Sequence, residues 1–391
     1  VLVKTRSVAL LVCAEIAAMS LWFVSAAILP EMAREAVISP LRQAMLSSGV
    51  QAGFVIGALA SAVSGLADRF DPRRVFVLAA LGAAAANLLL LAVPPGHGLA
   101  ILARLLTGIL LAGVYPVGMK IAVGWGNRDR GFLVGLLVGA LTLGSAAPHL
   151  LALLGGAEWR NGVLLASALA AAGGLLVLGA GLGPHHAQAR RFDTTVIPTA
   201  WRDRRIRLAY AGYLGHMWEL YAMWAWLAAA LTASYSLRQG IDAAWLGRLT
   251  TFLAIAGGAF ACLAGGHLAD RIGKAQVAMG SMMASALAAL AVAASFGGPV
   301  WLVMPLAIVW GITIIPDSAQ FSALVADAAP PDQAGSLMTL QTALGFALTF
   351  FTVQFTPLVA EALGWPATLA IMALGPVFGV IAMRRLIALD S

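Results

Sequence analysis

Seven ionisable side chains stand inside apolar runs: Glu15, Arg104, Lys120, His149, His216, Glu219 and Asp317. A charge at the centre of a bilayer is costly and survives where it is paired or reaches water, so each is a candidate for binding or proton transfer. The stretch GHMWELYAMWAW (215–226) holds two of them. His216 and Glu219 are three residues apart, which on a helix places them on one face, extended by Gly212, Met223 and Trp226. A helix entering near residue 207 carries both roughly 14 to 18 Å deep, about mid-bilayer. An imidazole titrates near neutrality and can trade a proton with a carboxyl in a partly watered site. The pair is therefore expected to point together into a cavity as a proton-coupling site. A structural reading stands beside it: Glu219 neutral and hydrogen-bonded, His216 bracing a neighbouring helix.

Glu15 and Arg104 raise the matching question in the first half of the chain. Glu15 falls about 12 Å from one end of its helix and Arg104 about 9 Å from the other end of its own. A long guanidinium side chain and helix tilt could join them. The resulting salt bridge would either open on protonation of Glu15 or be permanent, because an unpaired buried charge is costly. Lys120 could attract an anionic solute or extend to the headgroups. Asp317, with Gln320 beside it, reads as functional, and His149, alone after Pro148, reads as packing.

These residues need membrane helices to position them, and the composition supplies them. Of 391 residues, 61% are hydrophobic and 10% are charged, against about 25% charged in a soluble domain. The 42 glycines suit closely packed membrane helices. Twelve apolar runs are long enough to span: roughly 8–29, 45–66, 75–94, 98–121, 131–154, 161–182, 207–233, 244–266, 275–295, 299–325, 335–359 and 365–385. The first run lacks a clear cleavage site and reads as a span, not a signal peptide. The polar, Arg-rich segment 184–206 divides the chain into a first six-helix unit, 1–183, and a second, 207–391.

The net charge of +7 follows topology and does not point to nucleic acid. With the N-terminus cytoplasmic, the loops on that side hold seventeen of the 24 Lys and Arg; the other side holds Arg34, Arg42, Arg160, Arg238 and Arg248. Both termini are therefore expected inside a cell's inner (plasma) membrane. Cys13 and Cys262 have neither the spacing nor the setting of a disulfide or metal site. No metal-ligand cluster, phosphate-binding glycine loop or nucleophile motif is apparent, so neither an enzyme nor a cofactor is expected.

The halves repeat. SGLADRFDPRR (64–74) follows the second run and GGHLADRIGKA (265–275) the eighth, with Asp68 and Asp270 202 residues apart. GVYPVGMK (113–120) and GITIIPDSAQ (311–320) bring Pro116 and Pro316 200 apart. Two landmarks at nearly one offset indicate a duplicated unit, a hallmark of secondary transporters.

GHLADRIGK (266–274) resembles the loop signature of the major facilitator superfamily, G-x-L-a-D-R-x-G-R/K. The first copy departs from it, with Ser64 and Asp71 where glycines are expected, but keeps Asp68–Arg69. RLLTGILLAG (104–113) resembles the fourth-helix motif of proton-coupled members through Arg104 and Gly108, whereas GALTLGSAAPHL (139–150) fits the fifth-helix antiporter motif poorly, with Ala147 before Pro148. The resemblance implies two pseudo-symmetric six-helix bundles around a central cavity lined by helices 1, 4, 7 and 10, which carry six of the seven buried ionisable residues. It implies a gating role for Asp68, Arg69, Asp270 and Arg271, and suggests that Pro116 and Pro316 kink gating helices. Proton coupling is expected at Glu15, His216, Glu219 and Asp317. Substrate contact is expected at Arg104, Lys120, Tyr115, Trp218, Tyr221 and Gln320. The expected activity is symport of a small, charged or zwitterionic organic solute with protons, by a monomer in the lipid bilayer. Export of amphipathic compounds and a non-transporting membrane sensor are the alternatives.

Overall fold

The computed structural model describes residues 2–65, 69–126, 129–154, 158–185, 193–330 and 333–390. Among them no strand occurs, and the helices are long, as an apolar chain in a bilayer requires, because each backbone polar group must find its partner within the segment. The first half runs α1 (Leu2–Met19), α2 (Val24–Glu35), α3 (Pro40–Ser64), α4 (Pro72–Leu88), α5 (Gly98–Leu111), α6 (Tyr115–Gly124), α7 (Arg130–Leu154) and α8 (Trp159–Leu176). A short connector helix, α9 (Ile197–Arg202), precedes the second half. That half is α10 (Arg204–Ser236), α11 (Ala243–Ile272), α12 (Lys274–Ala294), α13 (Val300–Thr313), α14 (Ser318–Ala328), α15 (Ala334–Leu363), α16 (Trp365–Met372) and α17 (Leu374–Asp390).

Local chemistry sets the ends. Asp71 caps α4, accepting from the Arg73 amide at 2.9 Å, with Pro72 following where its missing N–H costs nothing. Asp203 and Asp242 cap α10 and α11 in the same way. Gly65 closes α3 at φ 63°, a left-handed conformation that glycine adopts freely.

Four expected single spans are broken pairs. The first splits between Met19 and Val24, the fourth between Leu111 and Tyr115, the tenth between Thr313 and Ser318, and the twelfth at Ala373. Pro116 starts α6 within its first turn rather than bending a continuous helix, and Pro316 lies in the tenth-span break. The connector 184–206, expected as a polar link, carries α9, whose Ala200 packs with Val196 against Ile206, Tyr210 and Leu337.

Eleven of the expected spans are long and apolar enough to cross a membrane. The seventh, α10, falls short in hydropathy yet has 33 residues, about 50 Å of helix. Its ends are tied to opposite faces. Arg207 donates to the Trp201 carbonyl beside the connector, and Ser234 accepts from the Gly297 amide between α12 and α13. All ten residues from Glu219 to Ala228 are buried. A helix sheathed by other helices does not need a lipid-compatible surface, so polar and aromatic side chains are tolerated there.

Helices of each half pack mainly among themselves. Contact between the halves runs along α3 with α15 and α7 with α11, and α2 reaches α10. Within the first half, α3 and α5 meet backbone to backbone: a Cβ at Gly53 would strike the Leu105 carbonyl, and one at Gly108 the Val50 carbonyl.

Candidate functional site: buried charges at helix breaks

The break in the first span frees backbone carbonyls, and Arg104 takes them. Its Nη2 donates to the carbonyls of Leu21 at 2.9 Å and Trp22 at 2.7 Å, and its Nη1 donates to Asn87 Oδ1 at 2.8 Å. Asn87 in turn donates to Ser167 Oγ at 3.0 Å. Arg104 has no exposed surface, and its acceptors among the described residues are all neutral. The carbonyl end of α1, with its partial negative charge, is the local compensation.

The expected Glu15–Arg104 bridge is therefore not formed. Glu15 lies six residues before Leu21, about 9 Å along the helix, and the orphan carbonyls claim the guanidinium. Glu15 is fully buried, and neither carboxyl oxygen has a hydrogen-bond partner. It faces α6: a Cβ at Gly118 would fall on Glu15 Oε2, and Tyr115, half-buried, is within electrostatic reach. Gly118 thus leaves the space that the carboxyl occupies.

The second half repeats this placement with a partner present. His216 on α10 sets Nδ1 2.9 Å from Oδ1 of Asp317, which stands at the start of α14 just after Pro316. Glu15 and His216 occupy corresponding positions, 201 residues apart, each facing the segment beyond a break. Tyr213 and Phe321 pack on the imidazole. Glu219 accepts from Trp310 Nε1 at 2.6 Å and from Ser285 Oγ at 2.5 Å.

His216 and Glu219 do share a face, but the expectation that they meet in a central cavity is corrected. Each has its own partner. The face they share looks at the ninth and tenth spans, inside the second half. His216, Glu219 and Asp317 are each about 1% exposed, so the group is closed in this conformation.

The remaining sequence candidates divide. Gln320 is buried one turn beyond Asp317, Lys120 is half-buried on α6, and Pro116 is exposed. Trp218 sits to one side, donating to the Ile371 carbonyl at 3.2 Å. It lines an apolar cavity of about 140 Å³ with Phe351, Phe355, Ile371 and Met372. Tyr221 lies at the axis between the halves, among Trp22, Phe23, Trp224 and Phe346.

Two contacts between the halves escaped sequence reasoning. Glu31 on α2 and Arg248 on α11 form an ion pair, each less than a tenth exposed. Ser48 on α3 donates to Gln354 on α15 at 2.6 Å, fully inside. Both join the halves toward the face opposite the termini. Each of Glu31 and Arg248 sits within about two turns of a loop, where a charge reads as a topology anchor. Only their opposite signs hinted at a pair.

The family model for the Major Facilitator Superfamily matches residues 10–348. The chain belongs to that superfamily. It is accordingly a membrane transporter. No curated protein matches it by sequence. Solved structures share the fold, two of them as follows. A mutant of the nucleoside transporter NupG is 15% identical with a TM-score of 0.71, covering 98% of this chain and 99% of that one. A bacterial homologue of the human lysosomal transporter Spinster, inward-facing and occupied, is 12% identical with a TM-score of 0.72, covering 99% and 96%. Of this transporter's signature residues, Arg69, Asp270 and Arg271 are exposed at the face bearing the termini, and Asp68 lies outside the described residues. Asp270 edges a crevice between α7 and α11 lined by Gly131, Phe132, Gly135 and His267.

Proposed function

We propose that this transporter moves a small charged or zwitterionic organic solute by proton-coupled symport, through alternating access of two rocking bundles. The bundles are residues 1–183 and 207–391, joined by 184–206, and the chain acts as a monomer in the bilayer. The observation that carries the reading is the pair His216–Asp317 at a helix break, with Glu15 in the corresponding place of the other half. A lone carboxyl and a carboxyl–imidazole pair, each beside a break, give the halves sites whose protonation alters the cost of staying closed. Asp317, His216, Glu15 and Glu219 are the proton-coupling residues of this reading, and Arg104 and Lys120 favour a solute with negative charge. Glu31–Arg248 and Ser48–Gln354 are contacts that must part if the face opposite the termini is to open. The bias of Lys and Arg toward the terminal face supports cytoplasmic termini in an inner (plasma) membrane.

Export of amphipathic compounds is the second reading, favoured by the apolar cavity beside Trp218. The two solved structures bear different transporter names and do not choose between solutes. Purified protein in sealed proteoliposomes, screened across solute classes with and without an imposed pH gradient, tests the proposal. Accumulation that follows the gradient is expected; uptake indifferent to it in every class overturns proton coupling.

A further inference from the structure

Six aromatic rings close the axis between the halves. Trp22, Phe23 and Phe54 come from the first half, and Tyr221, Trp224 and Phe346 from the second. They touch across the divide: Phe54 and Phe346 have centroids 4.5 Å apart, Trp22 and Tyr221 5.7 Å, and Phe23 and Trp224 5.8 Å. When the halves part, these ring faces lose their partners together.

The indole N–H groups mark the cluster further. Four other tryptophan N–H groups have partners: Trp125 the Gly181 carbonyl, Trp218 that of Ile371, Trp226 that of Val353 and Trp310 the Glu219 carboxyl. Trp22 and Trp224 are at most 1% exposed, and neither N–H has a partner. Trp159 shares that lack, but it starts α8 beside the exposed Arg160–Glu35 pair. A buried donor left unpaired is expensive, and two on one cluster point to an acceptor supplied from outside. Behind Trp22 stands Arg104, bonded to the Trp22 carbonyl itself and to neutral groups. A cation without a carboxylate partner favours an anion nearby.

We propose that Trp22, Trp224, Tyr221 and Phe346 bind the transported solute, and that this solute is a flat aromatic carboxylate whose ring replaces the ring contacts between the halves and whose oxygens accept from the two indoles. The assignment rests on the transport reading and sharpens its substrate class. The rings supply flat apolar faces, the indoles supply donors and no acceptors, and Arg104 supplies the sign of the charge.

Thermal-shift and equilibrium-binding measurements on the purified full chain test this, with benzoate and 4-hydroxybenzoate as probes. Cyclohexanecarboxylate keeps the charge without the flat ring, and benzylamine keeps the ring with the opposite charge. The aromatic carboxylates are expected to stabilise the protein and bind at least about tenfold more tightly than either control. Trp22→Phe and Trp224→Phe keep a ring and remove only an unpaired donor, so both are expected to fold and to lose about tenfold in affinity. Trp226→Phe removes a paired donor and should lower the melting temperature while leaving affinity unchanged. Equal binding of cyclohexanecarboxylate, preference for benzylamine, or unchanged affinity in both Trp22→Phe and Trp224→Phe overturns the assignment. Gradient-driven uptake of a different solute class would sink it with proton coupling intact. Tight aromatic carboxylate binding with exchange that ignores the gradient would leave it standing and sink the coupling.

Discussion

Asp317 sits 2.9 Å from His216 at the point where the tenth span breaks, and both side chains are out of contact with solvent. The pairing joins α10, a long helix without a break, to the start of a new helix. A change in the charge of either partner is therefore felt at a place where the backbone is already interrupted.

Asp317→Asn removes the acid while keeping the shape. Exchange of solute across proteoliposomes is expected to continue, and accumulation driven by a pH gradient is expected to be lost. Glu219→Gln is the companion test. Its amide oxygen can still accept from Trp310 and Ser285 can turn to meet the amide, so stability should change by less than about 1 kcal/mol. Gradient-driven accumulation is again expected to fall. Accumulation at the wild-type level would make Glu219 a structural carboxyl and leave coupling to His216, Asp317 and Glu15.

Glu31 and Arg248 are a buried pair between the halves, so removing one partner strands the other. Glu31→Gln or Arg248→Gln alone should destabilise the protein by about 3 kcal/mol in thermal unfolding, and the double substitution should recover much of that loss. Additive losses would show that the two side chains do not act together.

Arg104→Lys keeps the charge and loses the fork. An ammonium cannot serve Asn87, Leu21 and Trp22 from one rigid plane. The expected cost is about 2 kcal/mol, read as a lower melting temperature, with solute affinity falling in parallel. An unchanged melting temperature would mean that the break in the first span holds without its guanidinium.

Much of this architecture was legible from apolar run length, the 200-residue repeat and the bias of Lys and Arg. The breaks were not, because SLWF (20–23) looks as apolar as the helix around it. What interrupts that helix is a guanidinium more than eighty residues away. The shared face of His216 and Glu219 followed from helical spacing, but its direction did not, since the deciding donors, Ser285 and Trp310, lie on helices with no sequence mark of contact. Arg248 was counted with the charges of the outer side and Glu31 was not singled out, because each lies near a helix end, where position alone does not separate an anchor from a partner.

Asp71 offers a measurement outside the membrane. Arg73 beside it holds its carboxyl below the usual aspartate range, through side-chain and backbone hydrogen bonds. A depressed value means that the contribution is present at neutral pH and is lost as pH falls below about 4. Asp71→Ala should cost about 1 kcal/mol at pH 7 by removing the cap of α4, and the gap from wild type should close on acidification. A gap that stays constant down to pH 3 would assign the loss to something other than the ionised carboxylate.

The low hydropathy of α10 bears on how the chain is made. Insertion machinery weighs each segment against lipid as it emerges, and a stretch carrying His216, Glu219 and several Trp and Tyr residues is a poor candidate on its own. The wrapping that shelters it comes from α11, α15 and α17, all synthesised later. Stable residence of α10 in the bilayer is thus a late event of biogenesis, and ribosome-bound intermediates truncated after residue 240 should leave it extractable by alkaline carbonate, whereas the full-length chain should not.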